Sequence, residues 1–125
     1  MSFTVKEVSK ITDVTPYTLR FYEKEGVLPY VKRDKNGFRT YSQGDIEWIE
    51  CVQVLRSTGL PLKEIKEYVE LYQIGDSTLA RRKKLMSNQK EKVTKHINKL
   101  MKTLELINYK MALYEVQEKK IDKFP

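Results

Sequence analysis

After Gly75 the chain contains no further glycine, and no proline until Pro125. Within that uninterrupted stretch Val93, Ile97, Leu100, Leu104, Ile107, Met111 and Tyr114 recur at alternating steps of four and three, the a/d pattern of a coiled coil. Met86 and Leu79 continue the register backwards, with Lys90 and Lys83 as polar interruptions. A helix over about 79–119 spans on the order of 60 Å at 1.5 Å per residue, too long to bury its stripe against one small domain. The seam therefore calls for a second helix, most simply that of a second copy of the chain.

The residues before it read as short elements with clear punctuation. Thr4 and Glu7 form a T-x-x-E capping box, and Val5, Val8 and Ile11 follow at helical spacing. Thr12, Asp13 and Val14 make a short break. Thr15 then supplies an N-cap, Pro16 opens a second helix, and Gly26 closes it. Two short helices joined by a three-residue turn are the sequence form of a helix-turn-helix. Leu28 to Arg33 and Phe38 to Tyr41 are β-prone runs flanking an Asn36-Gly37 turn, which predicts a hairpin bearing Lys32, Arg33, Lys35 and Arg39. Ser42 caps a third helix whose buried stripe is Ile46, Ile49, Val52 and Leu55, and Gly59 stops it. A fourth helix from about Pro61 to Gly75 sets Leu62, Ile65, Val69 and Tyr72 on one face.

The expected organisation is a winged helix-turn-helix over 1–75, with the helix-turn-helix at about 4–25, the wing at 29–41 and support helices at 42–58 and 61–74. A dimerisation helix follows over 76–120, with a tail at 121–125. The fold class is thus all-α dominated with a small β-hairpin wing.

Charge agrees with an anionic partner without proving one. Lys and Arg total 24 against 17 Asp and Glu, a net +7. Residues 1–42 carry 8 basic and 5 acidic side chains, 43–78 carry 3 and 7, and 79–125 carry 13 and 5. Much of the excess thus lies on the long helix, where it can be a solvated face. There is no apolar run of about 20 residues to span a bilayer and no signal-peptide pattern, so the chain is expected to be cytoplasmic with no membrane partner. One cysteine, Cys51, and one histidine, His96, cannot make a tetrahedral metal site, and no cofactor is expected. Without a phosphate loop or a His/Cys/acid cluster, enzymatic chemistry is the poorest fit.

The order and spacing of Thr18-Leu19-Arg20-Phe21-Tyr22-Glu23, Gly26-Val27-Leu28, Gly37-Phe38-Arg39-Thr40-Tyr41 and Thr58-Gly59-Leu60 leading to Glu64-Ile65 resemble the MerR family of bacterial regulators across the whole chain. The resemblance implies an antiparallel coiled-coil homodimer on a pseudo-palindromic promoter operator. It further implies activation by DNA distortion, so that RNA polymerase can engage both promoter elements.

The candidate DNA-contacting residues are Lys6, Thr15, Thr18, Arg20, Tyr22, Arg33, Arg39 and Tyr41. Arg20 and Tyr22 offer donors to phosphates or base edges, and Thr15 and Thr18 stand where the helix dipole favours an anion. Tyr22 is alternatively a core residue, Arg20 a partner of Glu23 or Glu25, and Arg39 and Tyr41 stabilisers of the hairpin. Phe38 is assigned to the core. Two other functions remain open: an excisionase-like architectural DNA-bending protein, which has no need of a long pairing helix, and a coiled-coil adaptor, which leaves the basic wing idle.

The short chain, with Ile46 to Glu50 and Gly75 to Thr78, looks most like the aldehyde- and electrophile-responsive branch of that family. That branch's helix-three cysteine falls at Val54, one turn from Cys51, which is therefore expected to be a buried, inert thiol, its pKa raised by Glu47 and Glu50. His96, one step off the seam, is expected at the surface with no role.

Overall fold

Capping chemistry places most of the helix boundaries. A computed structural model describes residues 2–29 and 31–119; Tyr30 of the expected wing and the tail expected at 121–125 lie outside the described residues. Helix α1, Val5–Thr12, begins on the predicted box: Thr4 Oγ1 accepts the Glu7 N–H at 3.1 Å and Glu7 Oε1 accepts the Thr4 N–H at 2.9 Å. It ends on Asp13 in the left-handed region, φ 58°, a conformation that a short polar side chain tolerates better than most. Helix α2, Pro16–Glu25, starts on Thr15, whose hydroxyl accepts the Thr18 N–H. Gly26 at φ 80° closes it; a side chain there would be strained by the backbone itself.

Strands β1, Lys32–Arg33, and β2, Arg39–Thr40, pair antiparallel with Lys32 opposite Thr40 and Arg33 opposite Arg39. Continuing that register, Asp34 N–H donates to the Phe38 carbonyl at 2.8 Å, so the loop is the three residues Lys35, Asn36 and Gly37, with Gly37 at φ 84°. This differs from a two-residue Asn-Gly turn, and the Asp34 carboxylate explains it by accepting both the Asn36 and Phe38 N–H groups. Phe3 and Tyr41 form an isolated antiparallel bridge, with N–H to O distances of 2.8 and 2.9 Å, tying the N-terminal segment to the base of the wing.

Helix α3, Gln43–Ser57, opens on a second capping box, Ser42 with Asp45, and helix α4 spans Leu62–Ile74. After a 3-10 turn at Asp76–Thr78, helix α5 runs Leu79–Glu118. The fold is accordingly helix-dominated with a small two-stranded wing and a long C-terminal helix.

One cluster, Val8, Val14, Leu19, Tyr22, Val27, Leu28, Tyr41, Ile46, Ile49, Val52, Leu60 and Ile65, buries the faces that α1, α2, the wing base, α3 and α4 share. Each fully buried aliphatic side chain there contributes about 1.5–3 kcal/mol relative to exposure. Trp48 locks α3 to the chain after α2, donating its Nε1–H to the Val27 carbonyl at 2.9 Å while stacking on Tyr68 and meeting Tyr72. Arg82 staples the α4–α5 turn: its Nε–H donates to Thr78 Oγ1 at 3.0 Å, its Nη2 to the Gly75 carbonyl at 3.2 Å, and its guanidinium covers the Tyr72 ring.

Contacts divide the chain after Leu85. In the second unit the predicted seam is unburied: Ile97, Leu100, Leu104, Ile107, Met111 and Tyr114 are all exposed in the single chain, and Val93 is half-buried.

Candidate nucleic-acid interface

The interface is built on α2 and the wing. Arg20, on the face of α2 opposite buried Leu19 and Tyr22, stays exposed. Neither Glu23 nor Glu25 is its partner. Glu23 instead binds Arg39, with Arg39 Nε 2.5 Å from Glu23 Oε2 and the two side chains 22% and 26% exposed. Lys6 of α1, Arg20 of α2, and Arg33, Phe38 and Arg39 of the wing line one groove of about 460 Å³. Arg33 is held there by donation from Nη1 to the Gly37 carbonyl at 3.0 Å. The groove gathers four cations against one carboxylate of its own, Asp34, whose side chain is engaged in the wing loop. Such a surface suits the passage of a phosphodiester strand.

A second depression of about 440 Å³ lies at the start of α2, lined by Asp13, Thr15, Thr18, Tyr22, Gln53 and Arg56 among others. Thr15 Oγ1 donates to Thr18 Oγ1 at 2.9 Å, so these two hydroxyls are engaged with each other. Arg56, from α3, lies over the Tyr22 ring with its carbon 5.8 Å from the centroid and donates to the Tyr22 hydroxyl at 3.4 Å.

Three expected assignments change. Tyr41 is buried, not a surface contact: its ring is 1% exposed and, among the described residues, its hydroxyl is a buried group without a hydrogen-bond partner. Burial, reinforced by the Glu23 carboxylate, pushes its pKa above the ordinary tyrosine value. Tyr22 is likewise a core residue, its hydroxyl bonded to Gln53 Oε1, so it supports the recognition surface from within. Phe38, assigned to the core, is 70% exposed. Sequence reasoning also passed over Tyr17, 73% exposed on the first turn of α2, and Arg56. A bulky aromatic just inside a recognition-helix start, facing neither Leu19 nor Tyr22, was the available signal for Tyr17.

Cys51 is also corrected: it lies on the exposed outer side of α3. Its thiol pKa is nonetheless raised, and the cause is desolvation by neighbouring protein atoms, not the charges of Glu47 and Glu50. Val54 is exposed one turn further on, and His96 is exposed on α5. Among the described residues no three His, Cys, Asp or Glu side chains come together as a metal site, and no helix is long and apolar enough to cross a membrane.

A helix-turn-helix with an adjoining basic wing defines a winged helix-turn-helix DNA-binding regulator. The chain belongs to the MerR family: the model described as the MerR HTH family regulatory protein matches residues 3–71, and one described as MerR, DNA binding matches residues 46–108. An HTH-type transcriptional regulator of Haemophilus influenzae is 40% identical over 115 residues, covering 92% of this chain and 85% of its own. The regulator AdhR of Bacillus subtilis is 36% identical over 89 residues, 71% of this chain and 64% of its own. Among solved structures, HiNmlR, a MerR family regulator lacking the sensor domain and bound to promoter DNA, superposes with a TM-score of 0.88 at 39% identity, covering 95% of this chain and 94% of that one. The family match and the 40-residue α5 favour a transcriptional regulator over an excisionase-like bending protein.

Proposed function

We propose that the chain works as a homodimer on a pseudo-palindromic promoter operator, activating transcription by distorting the DNA so that RNA polymerase engages both promoter elements. The observation that carries the binding half of this reading is the basic groove that Arg20 of α2 and Arg33 of the wing line together. With α2 in a major groove, Arg20, Thr15, Thr18 and Tyr17 face the duplex, while Lys6 and Arg33 flank a phosphate strand. Arg39 holds the wing to α2 through Glu23, and Tyr22 and Tyr41 fix the two elements from inside. The winged helix-turn-helix over 1–75 is the reading head and the helix over 76–120 the pairing element, supported by the exposed seam from Ile97 to Tyr114.

Purified protein is expected to retard the DNA upstream of its own coding sequence with a two-fold symmetric footprint, and to raise transcription from that promoter by polymerase in vitro. Retardation no stronger than that of an unrelated fragment of equal length would overturn the operator. A footprint without any effect on transcription would overturn activation alone.

A further inference from the structure

We propose that the cleft between the wing base and the α3–α4 pair binds a neutral, planar aromatic molecule carrying an oxygen acceptor, and that its occupancy is linked to DNA binding. The site stands on its own geometry, and the linkage rests on the DNA-binding reading above. The cleft measures about 470 Å³, with Leu28, Val31, Lys32, Asp45, Trp48 and Tyr72 among its walls, and it shares only Thr40 with the cationic groove. That volume is in the range of small-molecule sites, which are mostly apolar with a few placed polar groups. Trp48 and Tyr72 form the aromatic wall, their ring centroids 5.0 Å apart and tilted by 43°. The indole is fixed by donation of its Nε1–H to the Val27 carbonyl, and Tyr72 is 47% exposed, so ring surface is left facing water. Covering it with another flat ring is favourable both in apolar area and in aromatic geometry.

Charge sets the class of ligand. Among the described residues the charged side chains on the lining are Lys32 and Asp45, which cancel. Asp45 Oδ2 accepts the Ser42 N–H at 2.9 Å as part of the α3 cap, whereas the Lys32 ammonium enters no ion pair among the described residues. A charged ring of either sign would meet one like charge. A neutral ring with a hydroxyl or carbonyl oxygen accepts a hydrogen bond from Lys32 and is repelled by neither. The walls come from the wing, the start of α3 and the end of α4, and Tyr72 in turn lies under the Arg82 guanidinium that staples the α4–α5 turn. A molecule seated there favours the wing position that fits it, as DNA favours the one that meets the duplex. Two ligands that bias one element change each other's affinity by the same factor.

The test titrates the full chain, without DNA, with naphthol, naphthoate and naphthyltrimethylammonium at neutral pH. Trp48 is the chain's one tryptophan, so the single indole N–H signal in a nitrogen-15 correlation spectrum reports the site. Naphthol is expected to shift that signal saturably and to bind more tightly than either charged analogue. Tyr72→Ala is expected to weaken naphthol about tenfold and Tyr72→Phe, which keeps the ring, to leave it unchanged. Lys32→Met is expected to weaken naphthol and to turn the charge preference toward the cation. No saturable shift with any probe would overturn the site, and equal binding of all three would overturn the ligand class. On the upstream fragment, saturating naphthol is expected to change DNA affinity by about fivefold or more, with the fragment changing naphthol affinity by the same factor. Naphthol bound with DNA affinity unchanged would overturn the linkage. Failure of the wild type to retard the fragment would overturn the DNA-binding reading, while the titration made without DNA judges the site separately.

Discussion

Arg39 Nε stands 2.5 Å from Glu23 Oε2, an ion pair that crosses from the second wing strand to the recognition helix. It sets the angle between the two parts of the interface and removes much of the positive charge that Arg39 would otherwise present to DNA. With about a quarter of each side chain exposed, it lies between the weak surface pairs and the costly buried ones.

Arg39→Ala is therefore expected to destabilise the fold by about 1–2 kcal/mol and to weaken DNA binding while moving the salt slope by clearly less than one phosphate. Arg20→Ala, if Arg20 reads a base, should cost ~1–3 kcal/mol of affinity and relax preference at one position per half-site. Salt titrations on the upstream fragment separate the two. A full one-phosphate change in slope for Arg39→Ala would show that the arginine leaves Glu23 when DNA is present.

Tyr41 leads to a stability prediction. A buried hydroxyl without a partner costs roughly 1–3 kcal/mol, so Tyr41→Phe should melt at or above the wild-type temperature. The raised pKa gives the pH dependence its sign: the folded state holds the proton more tightly than the unfolded chain, so the stabilisation from keeping Tyr41 neutral is present below the ordinary tyrosine pKa and fades as pH climbs through the folded one. Denaturant midpoints at neutral and strongly alkaline pH should fall more for wild type than for Tyr41→Phe. A drop of several degrees in the variant at neutral pH would mean that the hydroxyl is satisfied in solution.

The exposed seam predicts association. Wild type should sediment as a dimer at micromolar concentration, whereas Leu100→Asp with Ile107→Asp should give monomers with much weaker operator binding, since two carboxylates against apolar partners cost several kcal/mol. A monomeric wild type would remove the pairing helix from the account.

Cys51 should be a slow thiol despite its exposure. Its raised pKa means that less thiolate is present at neutral pH than in the unfolded chain, and the thiolate is the species that reacts. Alkylation rates followed against pH should show a higher midpoint for the folded protein than in denaturant, and Cys51→Ser should keep whatever aldehyde or oxidant induction the wild type has. Induction lost in Cys51→Ser with DNA affinity intact would make it the sensor.

Caps and breaks were legible because they are local: Thr4 with Glu7, Thr15 before Pro16, and Ser42 with Asp45 each declare a helix start within four residues. The wing's inward face was not. Along a strand, side chains alternate, so Arg39 shares the phase of buried Tyr41 and Phe38 falls in the other, where it is exposed; placing Phe38 inside is a slip of one residue. What decides between the two phases is the bridge from Phe3 to Tyr41, a contact from far along the chain that no window around the hairpin contains. The same limit applies to Arg39, whose partner Glu23 lies on a different element. Cys51 was misplaced because α3 shows its buried stripe through Ile49 and Val52, and the two residues between them, Glu50 and Cys51, fall outside it.

The wing loop closes through the Asp34 carboxylate and the backbone of Phe38, and the side chain of Lys35 takes part in neither. Position 35 is thus a mounting point whose occupant can be exchanged without disturbing the tip. Since Cys51 is the chain's one cysteine, a Cys51→Ser, Lys35→Cys protein carries a single thiol there. A dye attached to it would turn the protein into a sensor of its own docking, reporting wing engagement in real time on DNA that bears no label.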